Sequence, residues 1–314
     1  MTAEVITIDR TQRLMVLDRF TSVAPLGLRF HDAANDVIID DGLSVSAYPL
    51  GRPNAVRGLP SNRRGIFILH HAPSLRTVEN GTGDDDYWNN LPAKKDFVIE
   101  VRDDQDRFLP FQFVAALPNR GIYEWPDPVI GSPLSMTRSI PLYSAPARTA
   151  PAGMAVVRAD LWDPTRGAEA AAAVLELYDN DRFVARGIAD QNGRVAVMFP
   201  YPAPKRFATS SPGSPFSSPL GSPPSAGQAL TDQAWTFRVR ALYAIQPLPS
   251  NDALPDLRAV LSQPEAVVWA DEAQTDQLFE VAVQFGKPLI LRSRSLSMLP
   301  PSKSGSMLFI TPAV

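Results

Sequence analysis

Proline is the residue that most limits how this chain can fold, because it occupies 31 of the 314 positions. A typical protein carries about 5% proline, so the share here is roughly doubled. The proline ring fixes φ and removes a backbone donor, which excludes it from helix interiors and central strands. The prolines concentrate in residues 124–151, in residues 208–227, and at predicted strand ends such as Pro73 and Pro200. This distribution predicts short strands with proline-rich edges and joints.

The remaining composition excludes several classes of function. The chain has no cysteine, which excludes disulfides, thiolate nucleophiles and cysteine-ligated metal centres. Its 30 basic and 33 acidic residues give a net charge of −3, with a pI of about 5.7. Proteins that bind nucleic acid through its phosphates normally have a basic surface. We therefore expect no nucleic-acid partner and no cofactor. Since domains have about 150 residues, the length predicts two of them.

The amino-terminal sequence favours a cytoplasmic location. Glu4 and Asp9 lie where a secretory signal has a basic region followed by an apolar run. A membrane-spanning helix needs about 18 or more consecutive apolar residues, and the chain has no such run. We therefore expect no direct insertion into a membrane.

Alternating apolar and polar residues predict strands throughout the first half of the chain. Residues 103–106 (DDQD) follow one of these strands and predict a hairpin loop, because aspartate readily hydrogen-bonds its own backbone. The strands predicted in this half are 43–48, 65–69, 97–102 and 108–114.

The second half continues the β pattern. Asn192 and Gly193, flanked by alternating hydrophobic residues, predict a hairpin that pairs 184–188 with 195–199. A single short helix is predicted at 254–262, with Asp252 as its cap and Pro255 in its first turn. The other strands predicted here are 154–162, 174–178, 235–243, 278–285, 289–292 and 307–310.

The two halves share a pattern of strand, polar loop, turn with glycine, apolar strand and proline stop. This pattern resembles the small β-sandwich of transthyretin-like and carboxypeptidase-regulatory-like modules. The fold class expected is therefore mainly β, with two Ig-like or transthyretin-like β-sandwich domains and one short helix in the second. The expected organisation is an amino-terminal arm (1–24), a first sandwich (25–123), a proline-rich connector (124–151), and a second sandwich (152–314) that carries a mobile Ser/Pro loop (208–227).

Three successive carboxylates, Asp84, Asp85 and Asp86, are the weak metal candidates in the chain. Oxygen-rich loops bind calcium, but these residues lack the alternating spacing of a calcium-binding loop. The favoured interpretation is a solvated loop anchored by Trp88, and no metal site is predicted.

Catalytic motifs are missing from the sequence. There is no phosphate-binding glycine loop, no Gly-x-Ser-x-Gly elbow and no His-Glu-x-x-His. His31 stands beside Asp32, a pair that could orient a general base, but no third partner is identifiable. His70 and His71 are adjacent on the chain and point to opposite faces of a strand. The sequence therefore predicts a protein without enzymatic activity.

Exposed aromatic and arginine side chains are the candidates for partner binding. Tryptophan and tyrosine side chains stack on sugars or on proteins, but at strand spacing they more often pack in a core. Arginines pair with acidic neighbours in an assembly, although most surface charges stay solvated. The candidates are Arg63, Arg64, Trp88, Trp125, Phe216, Arg292 and Arg294. The aromatic set considered for sugar stacking also includes Trp162, Trp235, Trp269, Tyr87, Tyr123, Tyr143 and Tyr201.

Five segments together resemble a structural protein encoded with contractile injection systems, the phage-tail-like particles of bacteria. They are 42–48 (GLSVSAY), 108–113 (FLPFQF), 141–146 (PLYSAP), 184–190 (VARGIAD) and 197–202 (VMFPYP). The resemblance implies a subunit of the cap or baseplate region that contacts other subunits of the particle in a multimeric assembly. Its amino-terminal arm and Ser/Pro loop are the expected contact segments. The alternatives are a carbohydrate-binding module that uses an aromatic patch and a metal-dependent adhesin.

Overall fold

A computed structural model describes residues 2–8, 14–90, 93–126, 139–203, 232–245, 254–293 and 307–312. These residues form a mainly β protein, which confirms the fold class at that level. The chain divides into two compact units. The first contains Met1–Leu142 and Leu248–Val260, and the second contains Tyr143–Pro247 and Leu261–Val314. The domain limits inferred from the sequence remain predictions, and the Ser/Pro loop at 208–227 lies outside the described residues.

Among its described residues, the first unit contains two four-stranded sheets and a separate two-stranded sheet. The strands are β1 (Thr2–Ile8), β2 (Leu14–Thr21), β3 (Leu26–Asp32), β4 (Ile38–Ile39), β5 (Leu43–Pro49), β6 (Arg57–Gly58), β7 (Ile66–Leu69), β8 (Lys95–Asp103), β9 (Phe111–Leu117) and β10 (Ile140–Leu142). The four-stranded sheets have the orders β10-β3-β4, with β7 also paired to β3, and β6-β5-β8-β9, and β1 pairs with β2 in the two-stranded sheet.

Apolar side chains on alternate positions build the core of this unit. Along β9, Phe111, Phe113, Ala115 and Leu117 are buried, as the two-residue period of a strand requires. β8 and β9 form the antiparallel hairpin predicted from the acidic loop. The carboxylate of Asp103 organises that loop by accepting hydrogen bonds from the backbone and side chain of Arg107.

The connector predicted at 124–151 contains a strand that the sequence did not indicate. β10 pairs in parallel with β3, and Pro141 stands opposite His31 in the register. Among the described strands, β10 is the outermost of its sheet. An edge position accommodates proline because a strand there need not donate to a neighbour on its outer side. Residues 127–138 of the connector lie outside the described residues.

The described residues of the second unit form one ten-stranded sheet around an apolar core. The strands are β11 (Met154–Asp163), β12 (Ala168–Glu169), β13 (Val174–Asp179), β14 (Arg182–Ile188), β15 (Arg194–Pro200), β16 (Ala234–Leu242), β17 (Glu265–Trp269), β18 (Glu280–Gln284), β19 (Leu289–Ile290) and β20 (Met307–Pro312). β11 is central: it pairs with β12 and β15 in antiparallel fashion and with β19 and β20 in parallel.

The hairpin predicted between 184–188 and 195–199 is wrong in its pairing, although both strands exist. β14 pairs with β13, and β15 pairs with β11. The turn itself forms, because the Asp190 side chain accepts hydrogen bonds from the backbone N–H of Asn192 and of Arg194. A Cβ on Gly187 would lie 2.6 Å from the carbonyl oxygen of Ala196, so β14 packs closely against β15 at this glycine.

The prediction of one short helix, placed in the second domain, needs correction. The described residues contain three: α1 (Arg76–Glu79), α2 (Asp85–Asn89) and α3 (Leu257–Leu261). α1 and α2 belong to the first unit, and most of α3 falls in its returning segment. Asp256 stabilises the start of α3 by accepting hydrogen bonds from Arg258 and Ala259, whereas the predicted cap, Asp252, lies outside the described residues.

Candidate functional site

The acidic cluster at 84–86 starts a helix. Asp84 is the N-cap of α2, and its carboxylate accepts a hydrogen bond of 2.8 Å from the backbone N–H of Tyr87. That bond, together with one from Thr82, lowers the pKa of Asp84. Asp85 forms an ion pair of 2.6 Å with Arg120. Among the described residues, no three His, Asp or Glu side chains are grouped so that they could hold a metal ion.

The two tryptophans proposed for partner binding have different environments. Trp88 lies on α2, is partly exposed, and packs edge-on against Tyr87. Trp125 is only 7% exposed. Its ring packs at right angles to Phe113, and the Arg258 guanidinium lies 5.5 Å from the ring centre. Trp125 is therefore largely a packing residue in the first unit, as the core interpretation of these aromatics predicts.

The proposed arginines are exposed where the structure describes them. Arg63 and Arg64 occupy a tight turn that follows Asn62, whose side chain accepts a hydrogen bond from the backbone N–H of Arg64. Arg292 follows β19 and is exposed. Phe216 and Arg294 lie outside the described residues. The turn displays two adjacent cations, the densest positive charge among these candidates.

A buried polar cluster joins β3 to the residue preceding β10. His31 Nδ1 lies 2.8 Å from Ser139 Oγ, and His31 Nε2 lies 3.8 Å from Asp36 Oδ1. Burial, followed by the nearby Asp32 carboxylate, raises the pKa of Asp36. Acyl-transfer triads use the same three residue types. Here Ser139 is 4% exposed, and the distance from histidine to Asp36 exceeds hydrogen-bond length, so the cluster chiefly fastens the strands together.

Sequence reasoning missed this cluster for a physical reason. Ser139 and His31 are 108 positions apart, and neither stands in a spacing motif. Only the parallel pairing of β10 with β3 brings them together. His31 followed by Asp32 was the one available signal, and it identified the histidine without identifying the serine.

A buried ion pair lies on the strands of the second unit. Glu176 on β13 accepts two hydrogen bonds from the Arg186 guanidinium on β14, at 2.7 Å and 2.6 Å. Tyr178 also donates to Glu176, at 2.9 Å. Burial lowers the pKa of Arg186, but Tyr143 and Glu176 raise it by more, so the guanidinium keeps its charge. Opposite charges that stand directly across paired strands give this cluster its geometry.

An aromatic groove of about 540 Å³ opens in the second unit. Its walls include the rings of Tyr201 and Phe285, whose centres are 4.7 Å apart, and the rings of Pro151 and Pro288. The Tyr201 hydroxyl accepts a hydrogen bond of 2.9 Å from the backbone N–H of Gly286, which ties one wall to the other. This groove is a concave aromatic surface of the second unit.

β1 and β2 form a hairpin that stands apart in its pairing. Thr2 pairs with Thr21 and Ile8 pairs with Leu14, with an irregularity between Val5 and Ile6. Within the described part of the chain, neither strand pairs with any other strand. Both outer edges of the hairpin therefore carry backbone donors and acceptors that no described strand occupies.

Comparisons with models of protein families, with curated protein sequences and with solved structures found no match to this chain. None of the helices in the described ranges is long and apolar enough to cross a membrane. The functional assignment therefore rests on the residues and geometry given above.

Proposed function

We propose that this protein is a non-enzymatic structural or accessory component of a contractile, phage-tail-like injection particle, in its cap or baseplate region. It acts through contacts with other subunits, is made in the cytoplasm, and is assembled into the particle as part of a multimer. At the finer level of fold, each unit is a β-sandwich of the Ig-like or transthyretin-like kind. The sequence resemblance in the five segments motivates this assignment.

The observation that carries the proposal is the β1–β2 hairpin. A two-stranded hairpin is marginally stable in water, and three or more strands, or packing against a helix, are needed for independent stability. β1 and β2 pair only with each other among the described strands, and residues 22–25 connect them to β3. An edge that no described strand covers adds readily to the edge of another sheet. The hairpin thus supplies the surface that a subunit of an assembly requires.

The proposal is tested by locating the full chain in the cells that produce it. Particles are sedimented from the lysate, inspected for contractile sheaths by electron microscopy, and analysed by mass spectrometry. We expect the chain in the particle fraction together with sheath, tube and baseplate subunits. If such particles are present and the chain occurs only in the supernatant, the proposal is wrong.

The absence of enzymatic activity is tested separately on the purified chain. We expect no turnover in a panel of esterase and glycosidase substrates. Ester hydrolysis that Ser139→Ala abolishes, while the variant keeps the wild-type melting temperature, would contradict this part of the proposal. Ser139 is the residue to change because it is the described serine hydrogen-bonded to a histidine ring.

A carbohydrate-binding role is the second candidate, and the surroundings of α2 favour it. A cleft of about 450 Å³ is lined by Tyr87, Asp84, Asp86 and Asn90, which combine a ring with polar side chains. Trp88 lies beside it, packed on Tyr87. Glycan-array binding by the full chain that disappears in Trp88→Ala would support this candidate. Binding that persists in that variant would exclude Trp88 as a stacking residue of the sugar site.

A further inference from the structure

The rings of the aromatic groove are held in place before any ligand arrives. Trp235 on β16 packs behind them, with ring centres 5.7 Å from Tyr201 and 6.5 Å from Phe285. Trp235 is buried in the core of the second unit, so it supports the two rings from the apolar side. Side chains fixed in this way lose little conformational entropy when a ligand binds.

The chemistry of the groove selects an uncharged and apolar ligand. Arg158 is the single charged residue in its described lining, and its guanidinium already donates a hydrogen bond of 2.5 Å to the carbonyl oxygen of Arg148. Grooves walled by aromatic rings recognise proline-rich segments in the polyproline II conformation, in which every third residue lies on the same side. Two tilted rings flanked by Pro151 and Pro288 provide such walls.

The chain itself contains a segment with the matching sequence. Residues 207–231 contain no charged residue. Within them, Pro212-Gly-Ser-Pro215 has the Pro-x-x-Pro spacing that places both prolines on one side of a polyproline II helix. Three further prolines follow at 219, 223 and 224. The segment is therefore uncharged and rich in proline, which is the composition that this groove selects.

We propose that the aromatic groove of one copy binds the Ser/Pro segment, residues 208–227, of a second copy. The inference rests on the proposed function, because it names one of the contacts between subunits. Segment and groove are different surfaces, so the contact is heterologous, and heterologous contacts generate rings or open stacks. Rings and stacks of repeated subunits are built through contacts of this class.

Binding to the groove is measured first with a synthetic peptide of residues 208–227 and the full chain. The recipient carries alanine in place of prolines 212, 215, 219, 223 and 224, so that its own segment does not compete. Removing one aromatic wall with Phe285→Ala is expected to weaken peptide binding at least about tenfold. Phe279→Ala is the control. Phe279 immediately precedes β18 and Phe285 immediately follows it, but Phe279 is 59% exposed and does not line the groove. Pro288→Glu changes an exposed groove residue and repeats the test without touching the core.

Mixing two defective chains then tests whether the contact joins two copies. Pro288→Glu keeps an intact segment, and the chain with five alanines keeps an intact groove. We expect each variant alone to sediment as a monomer and the mixture to form a one-to-one complex. A mixture that stays monomeric would overturn the proposal, as would a peptide that binds Phe285→Ala and the control equally. Glycans that bind the groove while the peptide does not would also overturn it. None of these results depends on whether the chain is found in particles.

Discussion

The buried ion pair of Glu176 and Arg186 makes the stability of the second unit sensitive to single substitutions. Glu176 is 1% exposed and compensates the charge of Arg186, which is 5% exposed at its side chain. A buried ion pair adds little stability compared with apolar residues of similar size. Removing one partner is strongly destabilising, because the other charge then remains buried without compensation. The same glutamate also approaches Arg240, which reaches a second, exposed partner in Glu265. Glu176 and Glu265 both interact with Arg240 but differ in burial, so substituting each one compares a buried with an exposed carboxylate.

Glu176→Ala is expected to lower the free energy of unfolding by about 3–5 kcal/mol, because Arg186 stays buried without its partner. Glu265→Ala is expected to change it by about 1 kcal/mol or less, since exposed pairs contribute little. Urea unfolding followed by circular dichroism measures both. Equal effects of the two substitutions would show that Arg186 is solvated or finds another partner.

A second prediction at the residue scale concerns pH. The lowered pKa of Asp84 means that its carboxylate is stabilised in the folded state, so its contribution is complete above the usual value of 3.8 and is lost as the pH falls through the lowered pKa. Asp84→Ala is therefore expected to lower the melting temperature at pH 7, and the difference from the wild type is expected to shrink in strong acid. Asp86→Ala serves as the control. A difference that grows as the pH falls would contradict the capping role.

At the scale of elements, glycines decide how tightly turns pack. Gly193 (φ +73°) and Gly153 (φ +80°) both adopt a left-handed conformation, which residues with a side chain rarely adopt. A Cβ on Gly193 would lie 2.3 Å from the carbonyl oxygen of Leu161, whereas a Cβ on Gly153 would meet nothing within 4 Å. The turn at Gly193 therefore packs directly against the β11 backbone, whereas the turn at Gly153 has space for a side chain.

Gly153→Ala is expected to cost about 1–2 kcal/mol of conformational strain. Gly193→Ala is expected to cost distinctly more, because the same strain is joined by displacement of the β11 backbone. Chemical unfolding of the two variants measures the difference. If the two variants lose equal free energy of unfolding, the β11 backbone moves away from the new Cβ at little cost, and the close packing at Gly193 does not constrain the turn.

Sequence patterns identified elements with a clear two-residue period and missed those without one. β5, β8 and β16 were located within two residues at each end, because their apolar residues alternate. β4, β6 and β12 have two residues each, too short for any period. The four residues of α1 likewise fall short of two helical turns. Asn192 and Gly193 correctly predicted a turn, but pairing between strands depends on distant parts of the chain.

At the scale of the whole molecule, the sequence predicted a mainly β chain and the structure confirms it. The sequence assigned no strands to the amino-terminal arm, residues 1–24, whereas the structure places β1 and β2 there. Val5, Ile6 and Ile8 follow Glu4 in β1, and this mixture lacks the alternation that predicted the other strands. Partner surfaces are harder still to predict, because the exposure of a side chain depends on the folded chain: Trp125 is buried, whereas Trp88 is partly exposed.

The β1–β2 hairpin is the surface that we propose joins this chain to other subunits. Along β1, successive backbone N–H groups point alternately toward β2 and toward the outer edge of the hairpin. Proline at a given position removes the N–H on one of these two sides. Ile6→Pro and Thr7→Pro therefore remove one donor of each kind. Ile6→Val and Thr7→Val keep both donors and serve as controls.

The most direct measurement is the amount of full-length chain that sediments with particles when each variant replaces the wild type in the producing cells. We expect both proline variants to be depleted from the particle fraction at least about tenfold, a loss of about 1.4 kcal/mol of binding free energy, and both valine variants to match the wild type. Proline variants that enter particles as efficiently as the wild type would contradict this proposal.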